Sequence, residues 1–242
     1  MTIEILEFVE GARNAKGVTV VIDVFRAFSV ACYAFDAGAA RVITTAEVEE
    51  AFALKEKYRN AVLAGERKEK KIEGFDFGNS PTEILKADLK GKTLIHTTSA
   101  GTQGLANAKN ADMVYTGSLV NAGAVAEYIR GINPEHVSLV AMGYRANASA
   151  DEDLLCAELI ASLLSGEGSV SPERISDLRN TSGKRFFIPE NIDFSPPTDF
   201  FLCTMVNKFN FVLRALPRPD GNVDLLKIDP PDTNIGLVGS KK

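Results

Sequence analysis

The stretch Val18-Thr-Val-Val-Ile-Asp-Val-Phe-Arg-Ala-Phe-Ser29 decides the reading of this chain. Val18 to Ile22 is an unbroken β-branched run, the pattern of a strand buried on both faces of a sheet. Asp23 stands where the run stops. Arg26 and Ser29 follow, where apolar residues take up helical spacing. Open α/β sheets bind ligands beyond the carboxyl ends of their strands. Asp23, Arg26 and Ser29 are therefore candidates to face one crevice. The alternative for Asp23 is a cap on the helix that follows.

Working outward, strand and helix patterns alternate. Strands are predicted over 41–44, 61–64, 92–97, 113–116 and 137–142, and helices over 27–37, 46–59, 100–108, 122–130 and 151–164. Ser80 and Pro81 suit the cap and first turn of a short helix. This order predicts a three-layer α/β/α architecture with a mostly parallel or mixed sheet. We read residues 1–242 as one domain, or as two closely packed halves meeting near 115–120. Beyond Gly166 the pattern changes. Turn residues occupy 165–169, a helix fits 172–179, and Asp199 to Leu213 is apolar at helical spacing. Val223 to Ile228 reads as an edge strand, and this last part reads as a cover on the sheet.

Charge and cysteine usage narrow the class. A net charge of -5 leaves no electrostatic footprint for nucleic acid. Cys32, Cys156 and Cys203 form neither a pairing framework nor a metal spacing, which fits a reduced, cytoplasmic protein. Met1-Thr-Ile-Glu-Ile lacks the regions of a signal peptide, and no apolar stretch reaches membrane length. We expect a homodimer, as is common for α/β enzymes of this size, and a solvated end at Lys241 and Lys242.

Polar clusters recur just after strands: Asp23/Arg26/Ser29, Glu66/Arg67, Thr97/Thr98 with Gly101/Thr102, Gly117/Ser118 with Asn121, and Asp151/Glu152/Asp153. If all carboxyl ends share one edge, these clusters converge. Arg26 and Arg67 offer planar forks for oxyanions, or else pair with a nearby carboxylate. The loop at 97–102 leads into a helix N-terminus, which suits an anion, or is simply capped by its own hydroxyls. The acids at 151–153 either complement a helix dipole or, with Asp23, hold a hard cation such as Mg²⁺.

Several familiar sites are absent. Gly91-Lys-Thr93 lacks the preceding Gly of a P-loop, and there is no Gly-x-Gly-x-x-Gly fingerprint. Haloacid dehalogenase phosphatases need a second Asp two positions after the first, where this chain has Phe25. With only His96 and His136 present, histidine acid–base chemistry is not favoured. Cys156 reads as core packing.

Taken together, Val21-Ile-Asp-Val-Phe-Arg-Ala-Phe-Ser29, Gly65-Glu-Arg67, Gly74-Phe-Asp-Phe-Gly-Asn-Ser-Pro81, Thr97-Thr-Ser-Ala-Gly-Thr102, Gly117-Ser-Leu-Val-Asn121 and Glu152-Asp-Leu-Leu-Cys-Ala157 resemble the 2-phosphosulfolactate phosphatases. The resemblance covers roughly the first two-thirds of the chain. It implies an α/β fold, a Mg²⁺ cofactor, and hydrolysis of a phosphate ester beside a carboxylate and a sulfonate. It implies catalytic roles for Asp23, Arg26, Glu66 and Arg67, and metal ligation by Asp23, Glu152 and Asp153. It further implies substrate contacts from Ser29, Asn79, Ser80, Thr97, Thr98, Gly101, Thr102, Ser118 and Asn121. Asp23 as metal ligand and Asp23 as nucleophile both stay open. The chain departs from the family at Ala100, where Asn is usual, and at Phe25 and Phe28, where Leu and Thr are usual. A different reading is a non-catalytic binder of small phosphorylated or dicarboxylic acids. The clustered carboxylates speak against it, because they repel an anion unless a cation lies between.

Overall fold

The computed structural model describes residues 1–168 and 170–229, so Lys241 and Lys242 lie outside the described residues. The chain runs β1 (Thr2–Glu7), α1 (Phe8–Asn14), β2 (Val18–Ile22), α2 (Ala27–Asp36), β3 (Arg41–Thr44), α3 (Val48–Lys57), β4 (Ala61–Arg67), β5 (Lys70–Lys71) and α4 (Pro81–Ile84). It continues through β6 (Thr93–Thr97), α5 (Gly101–Asn107), β7 (Met113–Gly117), α6 (Ala122–Ile132), β8 (His136–Ala141), α7 (Asp151–Ser165), α8 (Pro172–Asp177), α9 (Pro197–Cys203), β9 (Val212–Pro217) and β10 (Val223–Ile228).

These strands form one sheet of order β1-β8-β2-β7-β9-β10-β3-β6-β4-β5. Helices cover both faces, so the expected α/β/α layering is present and the sheet is mixed. Strand β2 shows why its run is β-branched and buried throughout. Val21 joins the core under α1, α2 and α5, while Val20 and Ile22 join the core under α6 and α7. Helix α3 closes a third cluster over Ile43, Leu63 and Ile95. Among the described residues no helix is long and apolar enough to cross a membrane.

The sheet contains two parallel blocks. In the β2 block, β1, β8, β2 and β7 are parallel neighbours; in the β6 block, β3, β6 and β4 are. The hairpin β9–β10 lies between them, antiparallel to β7 on one side and to β3 on the other. Three successive antiparallel pairings reverse the sense, so the two blocks run in opposite directions. The carboxyl ends therefore do not share one edge, which corrects the premise on which the polar clusters were expected to converge.

The last part of the chain is also corrected. Val223–Ile228 is an interior strand, paired on both sides. Helix α9 ends at Cys203, and the backbone reaches a left-handed conformation at Asn207 before Val212 enters β9. The segment beyond 166 thus supplies the middle of the sheet as well as a cover, since Leu178, Phe186, Phe200 and Cys203 pack onto the core under α6 and α7. At the other end, Thr2–Glu7 forms an edge strand that the sequence reading passed over.

Candidate active site

Asp23 sits directly after β2. Its Oδ1 accepts from the Ala27 N–H at 3.0 Å, the first turn of α2. Its Oδ2 accepts from the Gly101 N–H at 2.9 Å, at the start of α5 and hence in the other block. Only glycine allows that approach: a Cβ at residue 101 would lie 2.8 Å from Asp23 Oδ2. The loops beyond the opposed blocks therefore meet, and Asp23 is one of their ties. Burial pushes its carboxyl up to about 6, against the pull of the two N–H groups, and the Glu66 and Glu152 charges push the same way.

Around this tie lies a small cleft. The β2 block contributes Asp23, Phe25 and Arg26, then Gly143, Tyr144 and Arg145 after β8, and Glu152 from α7. The β6 block contributes Glu66, Glu69, Asn79, Ser99 and Ala100. Arg185, from the 3-10 turn Ser182–Phe187, completes the wall. Of the three departures from the family pattern, Phe25 and Ala100 face the cleft. Phe28 is packed in the core instead.

The neighbours Glu152 and Asp153 differ in use. Asp153 lies behind the wall, where its oxygens accept from the Val24 N–H at 2.7 Å and the Gly143 N–H at 2.9 Å. It joins the loop after β2 to the loop after β8. Glu152 faces the cleft, and its Oε2 is buried with no hydrogen-bond partner among the described residues. Burial raises its carboxyl, and the Arg185 charge pulls it down. Asp153 is pushed well up by burial and by the Glu152 and Asp23 charges.

Arg26 is buried. Its Nη1 donates to Asp199 Oδ2 at 2.6 Å and to the Phe194 carbonyl at 2.8 Å. The other Asp199 oxygen accepts from Ser80 Oγ at 2.8 Å and the Thr82 N–H at 2.9 Å. The pairing carboxylate is thus one the sequence did not suggest, from the segment read as a cover. Arg67 points away from the cleft. It donates to the carbonyls of Glu66 at 2.9 Å and Ala46 at 2.8 Å, and to Thr97 Oγ1 at 3.0 Å. Glu66 accepts from the Ser99 N–H at 2.7 Å, the Glu69 N–H at 2.8 Å and Ser99 Oγ at 3.1 Å.

The remaining expected contacts frame the loops. Ser29 Oγ donates to the Val24 carbonyl and lies 2.7 Å from Ser118 Oγ, while Asn121 Oδ1 accepts from the Ser118 N–H. Thr98 and Thr102 bond each other reciprocally. None of these side chains lines the cleft. Asn79 does, and its Oδ1 is 3.1 Å from His96 Nε2. Burial pulls His96 down to about 4, so it is neutral and packed. Cys156 is fully buried in the core.

Residues missed from sequence are Ser99, Glu69, Tyr144, Arg145, Arg185 and Asp199. Glu69 is the second of two consecutive left-handed residues in the turn joining β4 to β5, at φ 55° and 73°. Arg145 and Ala146 form another such pair, at φ 53° and 59°. Non-glycine residues rarely adopt this conformation, and they concentrate where structure over-determines them, often at functional sites.

Among the described residues no three Asp, Glu, His or Cys side chains are placed to hold an ion by themselves. Mg²⁺ needs less, since one or two carboxylates suffice when water and substrate oxygens complete its octahedron. Asp23 and the unpartnered Glu152 oxygen fit that smaller requirement.

Fold and cleft together define a class: an α/β protein with a small polar site, rich in both arginine and carboxylate, between opposed strand ends. Sequence comparison supplies the family. The family model described as 2-phosphosulpholactate phosphatase matches residues 4–183. A Bacillus subtilis protein named probable 2-phosphosulfolactate phosphatase is 32% identical over 213 residues, covering 87% of this chain and 91% of its own. Proteins with the same name from Carboxydothermus hydrogenoformans and Clostridium acetobutylicum are 40% identical over 171 residues and 44% identical over 142. They cover 70% and 58% of this chain, and 70% and 60% of their own lengths. This chain belongs to the 2-phosphosulfolactate phosphatase family, a family of phosphoric monoester hydrolases.

Proposed function

We propose that this chain hydrolyses the phosphate ester of (2R)-2-phospho-3-sulfolactate, or of a closely related phosphorylated 2-hydroxy acid, with Mg²⁺ as cofactor. One water is consumed, and 3-sulfolactate and inorganic phosphate are released. The observation that carries the reading is the pairing of Asp23 and Glu152 with Arg26 in one cleft. Like-charged buried carboxylates beside an anion site repel both each other and the substrate. A divalent cation reconciles them.

In this reading Asp23 and Glu152 hold the metal. When bound, Mg²⁺ would neutralise charge on a phosphoryl oxygen as the P–O bond breaks. Asp23 is oriented for that task by the Ala27 and Gly101 N–H groups, which leave a lone pair on each oxygen. Arg26 faces phosphoryl oxygens with the donors that Asp199 and Phe194 leave free. Asp153 and Glu66 hold the loops that carry these groups. Phe25 and Ala100 narrow and smooth the wall, so substrate preference is the property most open to divergence from the relatives.

The test is phosphate release from 2-phosphosulfolactate and a panel of phosphorylated 2-hydroxy acids, with Mg²⁺ and with chelator. Release that needs Mg²⁺ and favours phosphosulfolactate supports both parts of the proposal. Full release in chelator removes the metal; no release from any compound removes the hydrolysis.

A further inference from the structure

Arg185 is a cation for which the proposed chemistry has no task. It lies beyond residues 4–183, the span matched to the family. Its guanidinium is 5.2 Å from the Phe186 ring centre, 5.3 Å from Tyr144 and 5.9 Å from Phe25. Three rings hold its plane at the cleft wall.

Its polar contacts are few. Nη2 donates to the Phe25 carbonyl at 2.9 Å. Nη1 is 3.5 Å from Glu69 Oε1, longer than a charge-assisted hydrogen bond. Nε is buried and has no partner among the described residues. Arg41 offers the contrast: its Nε and Nη2 are both taken by Asp224, at 2.8 and 2.6 Å. That edge of an arginine matches an oxyanion bidentately. In Arg185 the Nε corner of the fork is buried, held in position, and unpaired among the described residues. A buried donor left without an acceptor is costly and calls for an explanation.

We propose that Arg185 is a substrate-anion receptor, whose Nε and Nη donors take one oxyanion of the phosphorylated hydroxy acid while Glu69 gives up its loose ion pair. The proposal rests on the functional reading above. Phosphoryl, carboxylate and sulfonate oxygens share the chemistry Arg185 would recognise, and truncated substrates separate them.

Arg185→Lys keeps the charge over the rings and loses the fork, so it is the informative variant should Arg185→Met fail to fold. We expect Arg185→Lys to raise KM about 10- to 100-fold with kcat within about threefold, the span of one or two charge-assisted hydrogen bonds. Calorimetric titration of 3-sulfolactate, lactate and inorganic phosphate gives a readout independent of turnover. Affinity for the recognised anion falls by the same factor in Arg185→Lys. In Glu69→Gln it rises about threefold, because a competing negative charge is gone.

A penalty that vanishes on 2-phospholactate assigns Arg185 to the sulfonate. One that persists there and vanishes on isopropyl phosphate assigns it to the carboxylate. One that persists on all three substrates and on inorganic phosphate assigns it to the phosphoryl group. Arg185→Lys binding every probe like wild type overturns the proposal. So does a loss confined to kcat, which would place Arg185 behind Glu152 only, or Glu69→Gln weakening every probe. If wild type turns over none of the substrates, the functional reading fails, while the titrations still decide Arg185.

Discussion

Each block of the sheet ends in a pair of loops tied by one buried carboxylate, and the two ties differ. In the β2 block the tie is Asp153, which comes from α7, stands behind the loops, and bonds one backbone N–H with each oxygen. In the β6 block the tie is Glu66, which sits on β4 itself and also faces the cleft. The first arrangement separates holding from facing. Because Asp153 fixes the loops from behind, Asp23 and Glu152 are free to present oxygens to a ligand. In the second, one group does both, and beside it the β6 block adds Glu69, Asn79, Ser99 and Ala100. The block with the hidden tie is therefore the one that carries the metal-binding candidates.

The comparison breaks most severely at Asp23. Asp23→Asn keeps size and removes the charge a cation needs, while its amide sets a donor against the Ala27 or the Gly101 N–H. We expect turnover to fall by more than about 10³-fold, with an unchanged circular dichroism spectrum. Near-normal turnover with Mg²⁺ would eliminate Asp23 as both ligand and nucleophile.

Next comes the ion pair that joins the C-terminal segment to the β2 block. Arg26 and Asp199 are 3% and 0% exposed. Asp199→Ala leaves Arg26 buried and uncompensated, at a cost of about 3–5 kcal/mol. Urea denaturation should show this as a lower midpoint. A surface-like loss below about 1 kcal/mol would mean that Arg26 finds another partner.

The two ties should then separate from each other. Asp153→Asn sets an amide donor against one of two buried N–H groups, and we expect a loss of about 2–3 kcal/mol. Glu66→Gln can keep its oxygen toward the Glu69 N–H and Ser99 Oγ, and its amide then opposes only the Ser99 N–H, a part-buried group at the cleft that water can take over, so about 1 kcal/mol is expected. Equal losses, or the reverse order, would show that the hidden tie is not the stronger one.

How far the sequence reached can be judged from these same residues. The run 18–22 and the helices 27–36 and 151–165 were legible because local pattern and burial agree. Asp23, Glu66 and Glu152 were legible because they stand at the ends or starts of such elements. The sense of the β6 block was not, since β3, β4 and β6 read alike in either direction. What reverses them is the hairpin β9–β10, and its turn Pro217-Arg-Pro-Asp-Gly-Asn222 carries a Pro-Asp-Gly signal that went unread. Phe209 to Leu213 mixes aromatic and β-branched residues, so helical and extended spacing compete there and tertiary pairing decides. Glu152 and Asp153 are alike in type and adjacent, and only the position of the Val24 and Gly143 N–H groups tells holder from candidate ligand. Arg185 lies where no periodic element announces it, and Asp199, at the start of a stretch read as helical, carries nothing in the sequence that marks it as the partner of Arg26.

The smallest effect concerns pH and metal together. Asp23 has a folded value of about 6, above its ordinary 3.8, so its contribution to stability is complete at low pH and is lost as pH rises toward 6. His96 works in the opposite sense. Its folded value of about 4 lies below 6.5, so its contribution is present above pH 6.5 and is lost as pH falls toward 4. The two slopes oppose each other between pH 4 and 6, but the raised Glu152 and Asp153 carboxyls add to that of Asp23, so the metal-free melting temperature should fall as pH rises there. Mg²⁺ binds only the ionised carboxylate, so its stabilisation should be absent near pH 5 and present above about pH 6.5. At ten times Kd it is worth about 1.4 kcal/mol, or about 3–6 °C for a chain of this size. Thermal melts at pH 5 and 7.5, with and without Mg²⁺, read it directly. A shift at pH 7.5 that disappears in Asp23→Asn places the cation on the facing carboxylate of the β2 block. An equal shift at both pH values, or one that survives the substitution, places the cation elsewhere and dissolves the contrast between the two blocks.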